Sequence, residues 1–257
     1  MPDALPILLF ASVAVFLAQV VKGISGFGSA LVAVLLLNWV YPPDETVFLS
    51  ASVDLLSGAW MTLQLHKRID WRLVLALFFP LLLGQAGGTS LLVSLPVPVL
   101  KVLAGGVIAA LGVGWILRPV RPGLGALDAR PVGDRRLLMA GGLAGLFGGF
   151  MGGVIGAAGP PLILFMKRSF TDRFLRAQLV GTFFLGAITM LGLLAWHGTA
   201  DLQVLRRIPW ILPAALAGNL LGSWLSERVP RALFARLTGV LLALAGSGLV
   251  VQVLRGL

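Results

Sequence analysis

The chain has 257 residues, 58% of them hydrophobic and 12% charged, and its mean hydropathy is +0.98. That composition excludes an ordinary soluble domain and identifies an integral membrane protein with several spans. The net charge of +10 does not point to nucleic acid, because Lys and Arg fall in short loops between apolar runs, and the lack of cysteine excludes disulfides, thiolate metal ligands and cysteine nucleophiles.

In chain order, the first apolar stretch covers residues 4 to 40, too long for a single crossing of about 20 residues. Its start, MPDALPILLFASVAVFLAQVV, has no basic n-region and no small-residue cleavage site, and predicts a retained helix rather than a signal peptide. The run Gly23-Ile24-Ser25-Gly26-Phe27-Gly28-Ser29-Ala30 divides the stretch. Three conventional spans follow near 45–66, 73–93 and 97–117, then a polar linker, Arg118 to Arg136, with three prolines, three glycines and five arginines. The second half repeats the plan, with an interrupted stretch at 137–166 and spans near 174–197, 208–226 and 231–254.

The halves share landmarks. Gly23 matches Gly153, Gly26 matches Gly156 and Ser29 matches Gly159, the second break reading Gly153-Val154-Ile155-Gly156-Ala157-Ala158-Gly159-Pro160-Pro161. Further along, His66 and Asp70 match His197 and Asp201, Pro80 and Gly84-Gln85 match Pro213 and Gly218-Asn219, and Leu95-Pro96 matches Val229-Pro230. Agreement at spaced landmarks predicts an all-α polytopic bundle of two homologous repeats, 1–117 and 137–257, joined by the 118–136 linker. The basic loops His66–Arg72, Arg118–Arg136, Lys167–Arg176 and Glu227–Arg236 fall on the cytoplasmic side if each interrupted stretch enters and leaves on one side. An odd number of crossings per half then makes the repeats inverted. Arg206 and Arg207 fall on the outer side in this arrangement, against the bias.

These motifs, above all Gly148-Gly149-Phe150-Met151-Gly152-Gly153-Val154-Ile155-Gly156 running into Gly159-Pro160-Pro161-Leu162, resemble the TauE/SafE sulfite-exporter family of membrane permeases. The likeness covers essentially the whole chain, with Val34 standing where the family often has proline. It implies a plasma-membrane transporter of small anions, with sulfite, sulfonates and related sulfur or carboxylate species as the substrate class.

The residues point to anion handling on physical grounds as well. A helix restarting at Ser29 or at Gly159-Pro160 presents unpaired N–H groups and the positive end of a macrodipole. Ser29 suits an N-cap, and Pro160 suits a first helical position. Ser25, Gly26, Gly28, Ser29, Gly156, Gly159 and Pro160 are therefore candidate substrate contacts. The glycine rows at 141, 145, 149, 153 and at 148, 152, 156 also form small-residue faces for close helix packing, which is the reading for all of them except Gly156. Gln85 and Asn219, at matching places in matching spans, either donate to an oxyanion or join helices to each other. Lys22 and Asp54 are the ionisable groups placed deep in the membrane, where insertion of a charge costs about 2.5–3.5 kcal/mol. They are candidates for attracting the anion and for coupling to protons, with a structural ion pair as the alternative. His66 and His197, at span ends, read as interface anchors rather than a proton relay.

No nucleophile with a base, acid pair or metal cluster can be assembled at one depth, so an enzyme is not expected, and neither is a cofactor or metal. The expected partners are a small anion and the lipid bilayer, with proton coupling and a homo-oligomer left open. An anion channel or an assembly scaffold is the competing class. In this cysteine-free background, single cysteines at Arg121 and Arg130 should resist impermeant thiol reagents added from outside. Outside-only labelling at both positions would overturn the orientation.

Overall fold

The computed structural model describes residues 5–117, 135–156, 158–167, 172–198, 202–226, 228 and 231–256. Of the expected 118–136 linker, residues 118–134 lie outside the described residues. Regular structure among the described residues is helical throughout: α1 (Leu5–Ser25), α2 (Ser29–Leu37), α3 (Pro43–Leu65), α4 (Trp71–Ser94) and α5 (Val97–Leu117), then α6 (Arg135–Ile155), α7 (Gly159–Lys167), α8 (Asp172–Trp196), α9 (Leu202–Leu225) and α10 (Arg231–Gly256). Seven of these helices are long and apolar enough to cross a membrane, by length and composition. Local signals account for several starts. Pro43 opens α3 with Asp44 and Glu45 in its first turn, and the Asp70 side chain caps α4 by accepting from the backbone N–H groups of Arg72 and Leu73 at 3.0 and 3.3 Å.

Backbone-to-backbone packing at glycine sets the layout. A methyl group at Gly145 of α6 would meet the Leu77 carbonyl of α4, one at Gly149 that of Leu81, and one at Gly153 that of Gln85, so α4 and α6 run parallel in direct contact. In the same way Gly218 of α9 lies on the Phe16 carbonyl of α1, Gly222 on that of Val20, and Gly23 of α1 on that of Asn219. Two further pairs run antiparallel. Gly105 of α5 meets Gly246 of α10 while Gly112 meets Gly239. Gly58 of α3 meets Phe184 of α8, while Gln178 of α8 donates to the Arg68 carbonyl at 2.9 Å.

Polar ties mark the two ends of the bundle. At one end Gln178 accepts from the Asp70 N–H, and Arg176 donates to the Gly23 carbonyl at the close of α1. The same end carries the His66–Arg68 turn, the close of α5 and the starts of α6, α8 and α10, the segments rich in Lys and Arg. At the other end Arg207 of α9 pairs with Glu45 of α3 at 2.7 Å and stacks over the Tyr41 ring at 4.6 Å. This tie also explains a difference from the sequence reading. The span expected from 208 begins at Leu202, because the Arg207 charge is neutralised within the helix rather than carried in a loop.

The helix restarts differ by one residue from the expected caps. Gly28, not Ser29, is the N-cap of α2, at φ 88°, a left-handed conformation that glycine adopts without steric cost. Ser29 is the first helical residue, and its hydroxyl donates to the Asp54 carboxylate instead of accepting a backbone N–H as a cap would. Gly159 opens α7, so Pro160 takes the second position.

Replacing Gly149 with Ala should lower the unfolding free energy by about 1–3 kcal/mol or more, since the added methyl falls on the Leu81 carbonyl. Gly192, whose surroundings are open, provides the control and should tolerate Ala without loss. Thermal unfolding of both variants in detergent checks the contrast.

Candidate functional site

The two nine-residue helices, α2 and α7, start half-way along the bundle and point to opposite ends. Ser29 lies against Asp54, the middle of α3, and Gly159 against Phe183, the middle of α8. Both starts border one cavity of about 90 Å³, several times what a single water needs. Its walls are largely apolar, with Phe27, Leu81, Phe183 and Met190 among them, and its polar lining is Lys22, Ser29, Ser50, Asp54 and Gln85.

Lys22 is buried, and its Nζ donates to Asp54 Oδ1 at 2.8 Å, to the Asp54 carbonyl at 3.3 Å and to Ser57 Oγ at 3.0 Å. The ion pair that stood as the structural alternative is therefore formed, because α1 and α3 bring the two side chains into contact. Asp54 also accepts from Gln19 Nε2 at 3.0 Å and from Ser29 Oγ at 2.8 and 3.0 Å. Asn219 extends this network, donating to Gln19 Oε1 at 3.3 Å and to Met61 Sδ at 3.4 Å.

Of the nine residues expected to touch substrate, Gly28, Ser29, Gln85, Gly156 and Gly159 line the cavity, as do Lys22 and Asp54. Ser25, Gly26, Pro160 and Asn219 lie outside the lining. Ser25 shapes the first break, its hydroxyl 2.7 Å from the Val21 carbonyl and accepting the Phe27 N–H at 3.3 Å. Gly26 combines φ 82° with the passage of the Arg176 side chain, 2.6 Å from where a Cβ would stand. Gly156, at φ 70°, seats the second break on Val34 of α2. Pro160 and Pro161 remove two N–H groups from the first turn of α7, so α2 offers the fuller set of backbone donors. Gln85 is held across the helix pair, donating to the Gly186 carbonyl at 3.0 Å and accepting from Thr189 Oγ1 at 2.8 Å, which leaves one amide hydrogen over.

Sequence reasoning missed Gln19 and Arg176. Gln19 carried a usable signal, a lone amide three residues before Lys22 on the same helical face. Arg176 carried none, since a basic residue at a span end is what orientation alone requires. Among the described residues no three His, Asp or Glu side chains gather as metal ligands.

Removing one partner of this buried pair should cost far more than removing both. Lys22→Met should destabilise by about 3–5 kcal/mol, and Lys22→Met with Asp54→Leu should recover most of that loss. Additive losses in thermal unfolding would show that the two charges do not depend on each other.

A family model described as "Sulfite exporter TauE/SafE" matches residues 11–249. The probable sulfite/organosulfonate exporter TauE of Cupriavidus necator is 29% identical over 160 residues, which is 61% of this chain and 59% of that protein. No solved structure matches. The family match takes in both helix breaks and every residue of the cavity lining, and the chain belongs to the TauE/SafE sulfite-exporter family of multi-pass plasma-membrane proteins.

Proposed function

We propose that the protein is a secondary transporter of small anions, with sulfite, organosulfonates or related sulfur and carboxylate species as substrates. The observation that carries this reading is the meeting of two half-helix starts and a buried ammonium group at one cavity half-way through an apolar bundle. Backbone N–H groups and the macrodipole favour an anion there, and the surrounding low dielectric strengthens both. Ser29, Gly28, Gln85, Gly156 and Gly159 are the proposed contacts, with Ser25, Gly26, Pro160 and Asn219 setting the shape around them.

The architecture we infer is two inverted repeats, 1–117 and 137–257, with the 118–136 segment cytoplasmic. Support comes from the helix pairing, which is unchanged when the halves are exchanged: α1 with α9 answers α6 with α4, while α3 with α8 and α5 with α10 answer themselves. Equivalent helices run in opposite directions, as inversion requires. Inverted repeats with broken helices at mid-depth are the arrangement from which alternating access by rocking is built.

Flux in proteoliposomes of a panel of sulfite, alkanesulfonates and carboxylates, with and without a pH gradient, tests the reading. Saturable flux with exchange between panel members is expected, and Gln85→Leu should reduce it. Conduction without saturation would identify a channel, and no flux of any panel member would leave a scaffold role.

A further inference from the structure

The Lys22–Asp54 contact raises a question of charge balance inside the cavity. Lys22 and Asp54 are the charged side chains of its lining. α2 presents Ser29 to Asp54, while α3 presents Ser57 to the Lys22 ammonium and Ser50 to the cavity. The side chains lining the cavity from α4, α6, α7 and α8 are neutral, Gln85 and Met190 being the most polar, and among the described residues α9 is linked to Asp54 through Asn219 and Gln19. Gly152 takes the place in the second half that corresponds to Lys22, beside Gly153 as Lys22 is beside Gly23, so the charge pair is not duplicated.

Resting on the transporter reading above, we propose that the Asp54 carboxylate is an internal counter-anion that occupies the substrate's own subsite, so that a monovalent oxyanion enters only together with a proton. The carboxylate already holds the side-chain donors that line this cavity and that a small oxyanion would use, the Lys22 ammonium at 2.8 Å and the Ser29 hydroxyl at 2.8 Å, while the Gln19 amide at 3.0 Å fixes it from outside the lining. Its position beside the first residue of α2 is also where the macrodipole favours negative charge. With the pair intact the cavity is neutral. An anion added alone would bring two negative groups into contact in a low-dielectric space, where like charges strongly disfavour each other. Uptake of one proton by the carboxylate gives a neutral carboxylic acid, frees Lys22 Nζ for the incoming anion and keeps the cavity neutral. No other bond is made or broken. One proton therefore accompanies each monoanion. A dianion would leave one uncompensated charge, so hydrogensulfite, sulfonates and monocarboxylates are selected over sulfate.

Methanesulfonate is the probe, because its own charge does not change between about pH 5 and 8, and formate, likewise a monoanion over that range, serves as a second probe for a site too small for the methyl group. Binding to the purified protein should take up one proton per anion from weakly buffered solution. Where one proton is taken up per anion, the apparent affinity should fall about tenfold for each unit rise in pH. Asp54→Asn should bind with affinity independent of pH and without proton uptake, and sulfate should not compete. If that variant does not fold, the proton stoichiometry of the unaltered protein decides alone. Binding without proton uptake would overturn the counter-anion role and leave the transporter reading standing. Failure of every anion in the flux panel to bind or move would remove both.

Discussion

Two interrupted helices in an apolar bundle leave backbone groups that have to be paired, and the rest of the structure is arranged around supplying those pairs. In hydrocarbon an unsatisfied carbonyl or amide costs several kcal/mol, roughly what a membrane protein has to spare. At the first break the Gly23 carbonyl receives the Arg176 guanidinium at 2.6 Å, and the Ser25 hydroxyl answers the carbonyl of Val21 and the amide of Phe27. The first turn of α2 is left facing the cavity, beside Asp54. The place where the chain has no backbone partner of its own is thus a wall of the cavity.

Such breaks hold their geometry only if the long helices beside them are rigid. Glycine at Gly145, Gly149 and Gly153 lets α6 lie on the backbone of α4, and Gly218 and Gly222 let α9 lie on that of α1. Because these contacts are backbone on backbone, they admit no rotamer adjustment and fix the helix axes closely. Gly156 and Gly26 then carry the chain into left-handed turns where a side chain would collide with Val34 or Arg176.

Glycine contacts recur in the two halves of the chain, but the charge pair does not. Gly23 on Asn219 and Ser223 has its counterpart in Gly153 on Gln85 and Thr89. Yet Gln19 stands in the first half where Gly149 stands in the second, and Asn219, which donates to Gln19, lies outside the cavity lining to which Gln85 belongs. The two matching amides therefore have different surroundings, one in the charged network and the other bordering the cavity from the opposite helix pair.

The helical class, the repeated landmarks and the two breaks were legible in the sequence because hydropathy, glycine spacing and the exclusion of charge from lipid are local properties of a chain in a bilayer. The glycine row at 145, 149 and 153 could be assigned to packing for the same reason, since four-residue spacing puts small residues on one face. The sequence could name Lys22 and Asp54 as unusual, but not that their atoms meet at 2.8 Å, because 32 residues and a helix break separate them. Nor could it tell that Ser29 serves Asp54 rather than its own helix, or that Gln85 and Asn219 differ in exposure to the cavity. Those outcomes depend on how α1, α3, α8 and α9 cross, and crossing is decided by contacts between residues far apart in the chain.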